Sequence, residues 1–108
     1  MYEREKFNTS QLGACKMRTH WRIVDRGVNG EPFLWKKKDS GKFLMIDIFN
    51  PDATRRCYPI FVLPGNPNTN PNLSRTVIGV GCAEVSEETW IDAYQRARDI
   101  AEKYMKEY

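Results

Sequence analysis

Residues 89–108 read TWIDAYQRARDIAEKYMKEY, and their spacing decides the fold class. Trp90, Tyr94, Ala97, Ala101, Tyr104 and Tyr108 recur at intervals alternating between four and three residues, with Ala93, Ile100 and Met105 on the flanks of the same stripe. That period puts one apolar face on a long helix. Ser86 suits the N-cap, Glu87 and Glu88 complement the positive end of the helix dipole, and Val85 is placed to staple onto Trp90. The spacing predicts a helix over about residues 87–107, roughly 30 Å long at about 1.5 Å per residue. Alanines on the buried face permit a close approach to a sheet, so the aromatic stripe reads as core, with Ile91 to one side as the helix residue expected to face a partner.

Immediately before the helix, Arg75 to Cys82 (RTVIGVGC) reads as a strand whose glycines, Gly79 and Gly81, let it lie close beneath the helix. Tyr58 to Leu63 reads as another, with Pro59 arguing for an edge or a bulge. Glu31 to Lys37 and Lys42 to Phe49 form a hairpin joined by Lys38-Asp39-Ser40-Gly41, an order that suits a type I turn closed by a left-handed Gly41. In its second strand Leu44, Ile46 and Ile48 alternate with Phe43, Met45, Asp47 and Phe49. Both faces are largely apolar, so this strand belongs at the centre of the sheet. Asn50-Pro51-Asp52 marks the following turn. Pro64 to Asn72 (PGNPNTNPN) has no apolar side chain apart from its prolines and reads as a long loop, functional or disordered.

Further toward the N-terminus, Lys16, Arg18, His20 and Arg22 alternate with Met17, Thr19, Trp21 and Ile23. A strand here buries Met17, Trp21 and Ile23 and displays a basic row on the other side. The expected architecture is α+β: a mostly antiparallel sheet of about five strands within residues 16–82, packed on one face by the C-terminal helix. Residues 1–12 read as a loosely attached arm and 13–108 as a single domain.

Composition agrees with one domain. The chain has 108 residues, 41% of them hydrophobic, enough to bury a core without staples. No apolar run approaches the ~20 residues of a membrane helix, and the start, MYEREKFNTS, lacks the apolar centre of a secretory signal. The expectation is a soluble cytoplasmic protein that does not engage a membrane. Cys15, Cys57 and Cys82 are odd in number and widely spaced, and Cys57 and Cys82 are read as reduced core residues. The net charge of +3 is uneven: residues 1–82 carry 13 Lys+Arg against 7 Asp+Glu, whereas residues 83–108 carry 4 against 7. The sheet half is basic and the helix acidic.

Signs of catalysis are weak. Gly79-Val80-Gly81 precedes a helix, but the third glycine of a phosphate-binding GxGxxG would fall on Glu84. The single histidine, His20, sits in the basic row with no carboxylate nearby in sequence to orient it. Asp47, Asp52 and Glu84 offer a metal site only if the fold brings them together. Pro51-Asp52 matches the first half of a PD-(D/E)xK nuclease motif without the second. No catalytic residue, cofactor or metal site is assigned, and a binding module is expected rather than an enzyme.

Nucleic acid is the partner that the residue types favour. Lys16, Arg18, His20, Arg22, Lys36, Lys37, Lys38, Lys42, Arg55, Arg56 and Arg75 recur on strands and turns, with Phe33, Trp35 and Tyr58 interleaved as possible stacking platforms. The strand from Arg75 to Gly81, followed by the helix Thr89 to Ala101, resembles the last strand and helix of double-stranded-RNA-binding domains, and is similar to the same unit in single-strand-annealing recombination proteins. The resemblance implies an antiparallel meander followed by a helix, and nucleic-acid binding. It covers about a third of the chain, and where those RNA-binding domains carry a lysine cluster this chain has Glu87 and Glu88, so no functional residue is carried over. The alternative is a protein-binding inhibitor or adaptor, of the kind phages and mobile elements encode, that meets an acidic protein surface. A homodimer is compatible with either. In the protein-binding case Glu88, Asp92, Asp99 and Glu102 would matter as much as the basic row.

Overall fold

The computed structural model describes residues 20–49, 57–83 and 90–108. Five strands follow one another: β1 (Trp21–Arg26), β2 (Pro32–Lys37), β3 (Phe43–Ile46), β4 (Cys57–Leu63) and β5 (Thr76–Cys82), and then helix α1 (Trp90–Glu107). They form one antiparallel sheet in the order β1-β2-β3-β4-β5, a plain meander. The helix packs on β5 and β4 and reaches β3. The fold is the α+β arrangement expected, with β3 at the centre of the sheet. The N-terminal arm, Lys16 to Thr19, the Asn50-Pro51-Asp52 turn and the helix cap at Ser86 lie outside the described residues.

Register assigns each strand residue to a face. Trp35 pairs with Ile23 and Leu44, and Ile46 with Ile60, which pairs in turn with Gly79. This face meets the helix. A Cβ on Gly79 would lie 2.9 Å from Ile100 Cγ2, and one on Gly81 would lie 2.5 Å from Ala97 Cα and overlap its backbone nitrogen. The two glycines therefore allow the helix backbone to approach the sheet, as their position in the sequence implies. Ala93, Ala97 and Ala101 are fully buried on the helix side of that contact. Tyr94 fixes the other flank by donating its phenol proton to the Pro32 carbonyl.

The second face is also covered. Leu34, Leu63, Met45 and Phe43 point away from the helix by register, yet all are buried. The covering element is the Pro/Asn segment between β4 and β5. Asn68 Nδ2 donates to Asp25 Oδ2 at 3.0 Å. Because β4 and β1 are three strand spacings apart, about 14 Å, and the helix occupies the opposite face, the segment must cross the second face to reach Asp25. It is shaped by side chains that mimic backbone turns: Asn66 Oδ1 accepts from Asn68 N at 2.9 Å, and Asn70 Oδ1 from Asn72 N at 3.2 Å. Leu73 packs onto the core beneath it.

One local expectation needs correction. The left-handed glycine is Gly30, at φ 86°, in the turn between β1 and β2, whereas Gly41 has no such conformation. The Lys38–Gly41 turn is closed instead by Lys37 N donating to Lys42 O at 3.0 Å and by Lys42 N donating to Ser40 Oγ at 3.2 Å. Pro59 lies in an interior strand, and the ladder's irregularity falls just beyond it, between Ile60 and Phe61. Asp47 N donates to the Pro59 carbonyl. A residue's N–H and C=O share one side of a strand, so the missing Pro59 donor faces the β3 side just past Ile46, where that strand ends, and the β4–β5 ladder loses nothing.

Candidate functional site

Basic residues from three chain segments lie at one end of the sheet. Arg22 pairs with Lys36 and Trp21 with Lys37 across β1 and β2. Lys38 N donates to His20 O at 2.7 Å, and Lys37 to Lys42 O. Residues so paired lie about 4.5–5.5 Å apart at Cα. His20, Arg22, Lys38 and Lys42 are exposed, and Lys36 and Lys37 are half-buried, with their stems on the sheet. Asp39 is the carboxylate in this turn. Asp25, Glu31 and Asp47 belong to the opposite end, where β1 turns into β2 and β3 terminates. The tip is therefore rich in basic side chains, Lys37 on the helix-facing side and Arg22 and Lys36 on the other, whereas at the opposite end Arg26 stands among carboxylates.

The last turns of α1 reach the same end. Trp21, the register partner of Lys37, meets the Tyr104 ring edge-on at 6.2 Å between centroids. Tyr104 in turn stacks with Tyr108 at 4.6 Å and an interplanar angle of 29°. Burial raises the Tyr104 phenol pKa, with Tyr108 adding to the shift. Trp21 is buried, Tyr104 half-buried and Tyr108 58% exposed, so the stack runs from core to surface beside the lysines. The sequence reading placed both tyrosines in the core. Tyr104 packs against that core, and Tyr108 leaves it because the stripe of α1 outlasts the strands it packs on.

Other expected contributors lie elsewhere. Trp35 is only 5% exposed and Phe33 4%, so neither ring offers a surface for stacking. Tyr58 is half-buried, its phenol pKa raised by burial and then by the charge of Glu31, which belongs to the opposite end of the sheet. Arg75 is engaged structurally: its guanidinium bonds the buried Asp47 carboxylate at 3.4 Å and lies over the Phe61 ring at 5.2 Å. It anchors the exit of the covering segment. Lys16, Arg18, Arg55 and Arg56 lie outside the described residues, as do Asp52 and Glu84. Asp47 also accepts from Phe49 N at 3.1 Å. Among the described residues no group of three His, Cys, Asp or Glu side chains could hold a metal.

Cys57 and Cys82 are not reduced core thiols. They are direct register partners at the end of the β4–β5 ladder and form a disulfide, with Cα atoms 4.0 Å apart. Their 25-residue separation in sequence gave no sign of this, because the pairing depends on the register of a long hairpin. Arg96 Nη1 donates to the Cys82 carbonyl at 3.0 Å and ties the helix to the same end. No helix among the described residues is long and apolar enough to cross a membrane. No protein-family model matches the chain, and no curated protein or solved structure shows significant similarity to it.

Proposed function

We propose that this protein is a nucleic-acid-binding module and that the positive tip of the sheet is its contact surface. The observation that carries the reading is the convergence of His20, Arg22, Lys36, Lys37, Lys38 and Lys42, through strand register, on one end of the molecule. Such a group tracks phosphates rather than reading bases, so binding is electrostatic and falls with salt. The engagement of Asp47 by Arg75 supports a binding role over a metal-dependent catalytic one. The disulfide favours an oxidising compartment over the cytoplasmic one expected from sequence.

Fluorescence anisotropy with labelled DNA and RNA, at low and physiological salt, tests the proposal. Lys38→Ala with Lys42→Ala removes two exposed charges and is expected to lower the slope of log K against log salt by about 2, with the fold intact. Absence of binding at physiological ionic strength refutes it. One observation favours the alternative, a protein partner or a second copy of the chain docking away from the basic tip. The edge strand β5 leaves Val77 57% and Val80 48% exposed, a surface suited to strand addition. Retention by an immobilised protein partner, unaffected by the lysine changes, would favour that reading.

A further inference from the structure

From the Trp21–Tyr104–Tyr108 stack beside the lysine tip we infer that the ligand is single-stranded, and that Tyr108 is the platform on which an unpaired base stacks. This rests on the nucleic-acid reading and narrows it. A backbone-tracking surface of lysines accepts duplex and single strand alike. An open aromatic face next to it discriminates, because only a base that has left its pair can lie flat on the ring.

Three features of the stack suit that role. Tyr108 has one face on Tyr104 and is still 58% exposed, so the opposite face carries most of the open area. Its backbone continues the helical pattern past the end of α1, Tyr108 N donating to Tyr104 O at 2.9 Å, and its ring is held by the stack on Tyr104. Beneath it Tyr104 is braced edge-on by the buried Trp21, so the platform rests on the core and little ordering is required when a base arrives. Lys37, the register partner of Trp21, shares the helix-facing side of the sheet with the base of the stack, and its charge favours a phosphate-bearing ligand there. Glu107 is the carboxylate adjoining the platform on the helix, and its charge opposes the ligand.

The test compares three labelled probes of equal length on the full chain: an oligothymidylate, the corresponding duplex, and an abasic strand with the same backbone. The expected order is oligothymidylate bound more tightly than either of the others. Tyr108→Ala should weaken oligothymidylate binding about 5- to 100-fold and leave its salt slope unchanged, Tyr108→Phe should retain affinity, and Glu107→Gln should increase it. If the abasic strand or the duplex binds as tightly as the oligothymidylate, or Tyr108→Ala binds like the parent, the platform is refuted while the charge-based reading stands. If none of the probes binds, both readings fall together.

Discussion

Gly81→Ala should be among the most damaging single-methyl changes available in this protein. The added carbon would sit 2.5 Å from Ala97 Cα and 2.7 Å from Ala97 Cβ, against the ~3.5–4.0 Å of a comfortable carbon contact. The obstacle is helix backbone, so no rotamer change relieves it, and α1 must lift by about 1 Å or more from β5. Lifting also loosens the contacts of the fully buried Ala97 and Ala101. Overpacking of this kind costs about 1–3 kcal/mol, and the rigidity of the obstacle puts Gly81→Ala at the upper end. The ~0.4–1 kcal/mol that alanine contributes by restricting the unfolded chain offsets only part of this. Thermal and urea unfolding followed by circular dichroism should show a loss of about 2–3 kcal/mol and a midpoint lower by about 10–20 °C.

Gly79→Ala provides the control. Its new methyl would meet Ile100 Cγ2 at 2.9 Å, a side chain able to move, so the cost should be about 1 kcal/mol. Shortening Ile100 to Val should then offset part of that cost, whereas Ala97→Gly should not restore Gly81→Ala, because the nitrogen and Cα of residue 97 remain. A Gly81→Ala protein within about 0.5 kcal/mol of the parent would refute the close-approach argument.

The disulfide predicts one free thiol per chain, Cys15, when the unreduced protein is denatured, and three after reduction; three thiols before reduction would exclude the pairing. Cys57→Ser with Cys82→Ser should lower stability by up to about 3.5 kcal/mol, the chain-entropy value for a loop of this length. Arg75→Ala leaves the buried Asp47 carboxylate without its guanidinium partner and should cost about 1–3 kcal/mol, with faster proteolysis of the Pro64–Asn72 segment as the local signature; equal stability to the parent would assign Arg75 to the binding surface instead. Burial and Glu31 hold the Tyr58 phenol pKa above its ordinary value, so the folded state keeps a proton that the unfolded chain releases. Stability is therefore fully present below about pH 10 and declines as pH rises through the folded value, and Tyr58→Phe should make that decline shallower in alkaline unfolding curves.

The candidate site was only partly legible. Lys36, Lys37, Lys38 and Lys42 announce a basic hairpin in the sequence, and the structure brings His20 and Arg22 to it through β1. Trp35 misled, because an aromatic among lysines reads equally as a platform or as core, and the choice depends on what covers its face. Arg75 misled for a similar reason: its partner Asp47 is 28 residues away in sequence, so nothing local shows that its charge is already engaged. Tyr104 and Tyr108 were visible as a stripe, but where that stripe leaves the core depends on how far the strands extend beneath it.

By itself the sequence determined the elements: the helix from its alternating spacings of four and three, the strands from their alternation and β-branched content, the central place of β3 from its two apolar faces, and the close helix contact from Gly79 and Gly81. These are local properties, set by side-chain periodicity and backbone sterics within a few residues. The tertiary structure alone decided that the Pro/Asn segment covers the second face through Asn68 and Asp25, that Cys57 faces Cys82, and that charge and aromatic rings converge on one end. Each depends on register and chain path over tens of residues, where many pairings satisfy the same local pattern and only the packing of the whole sheet selects among them.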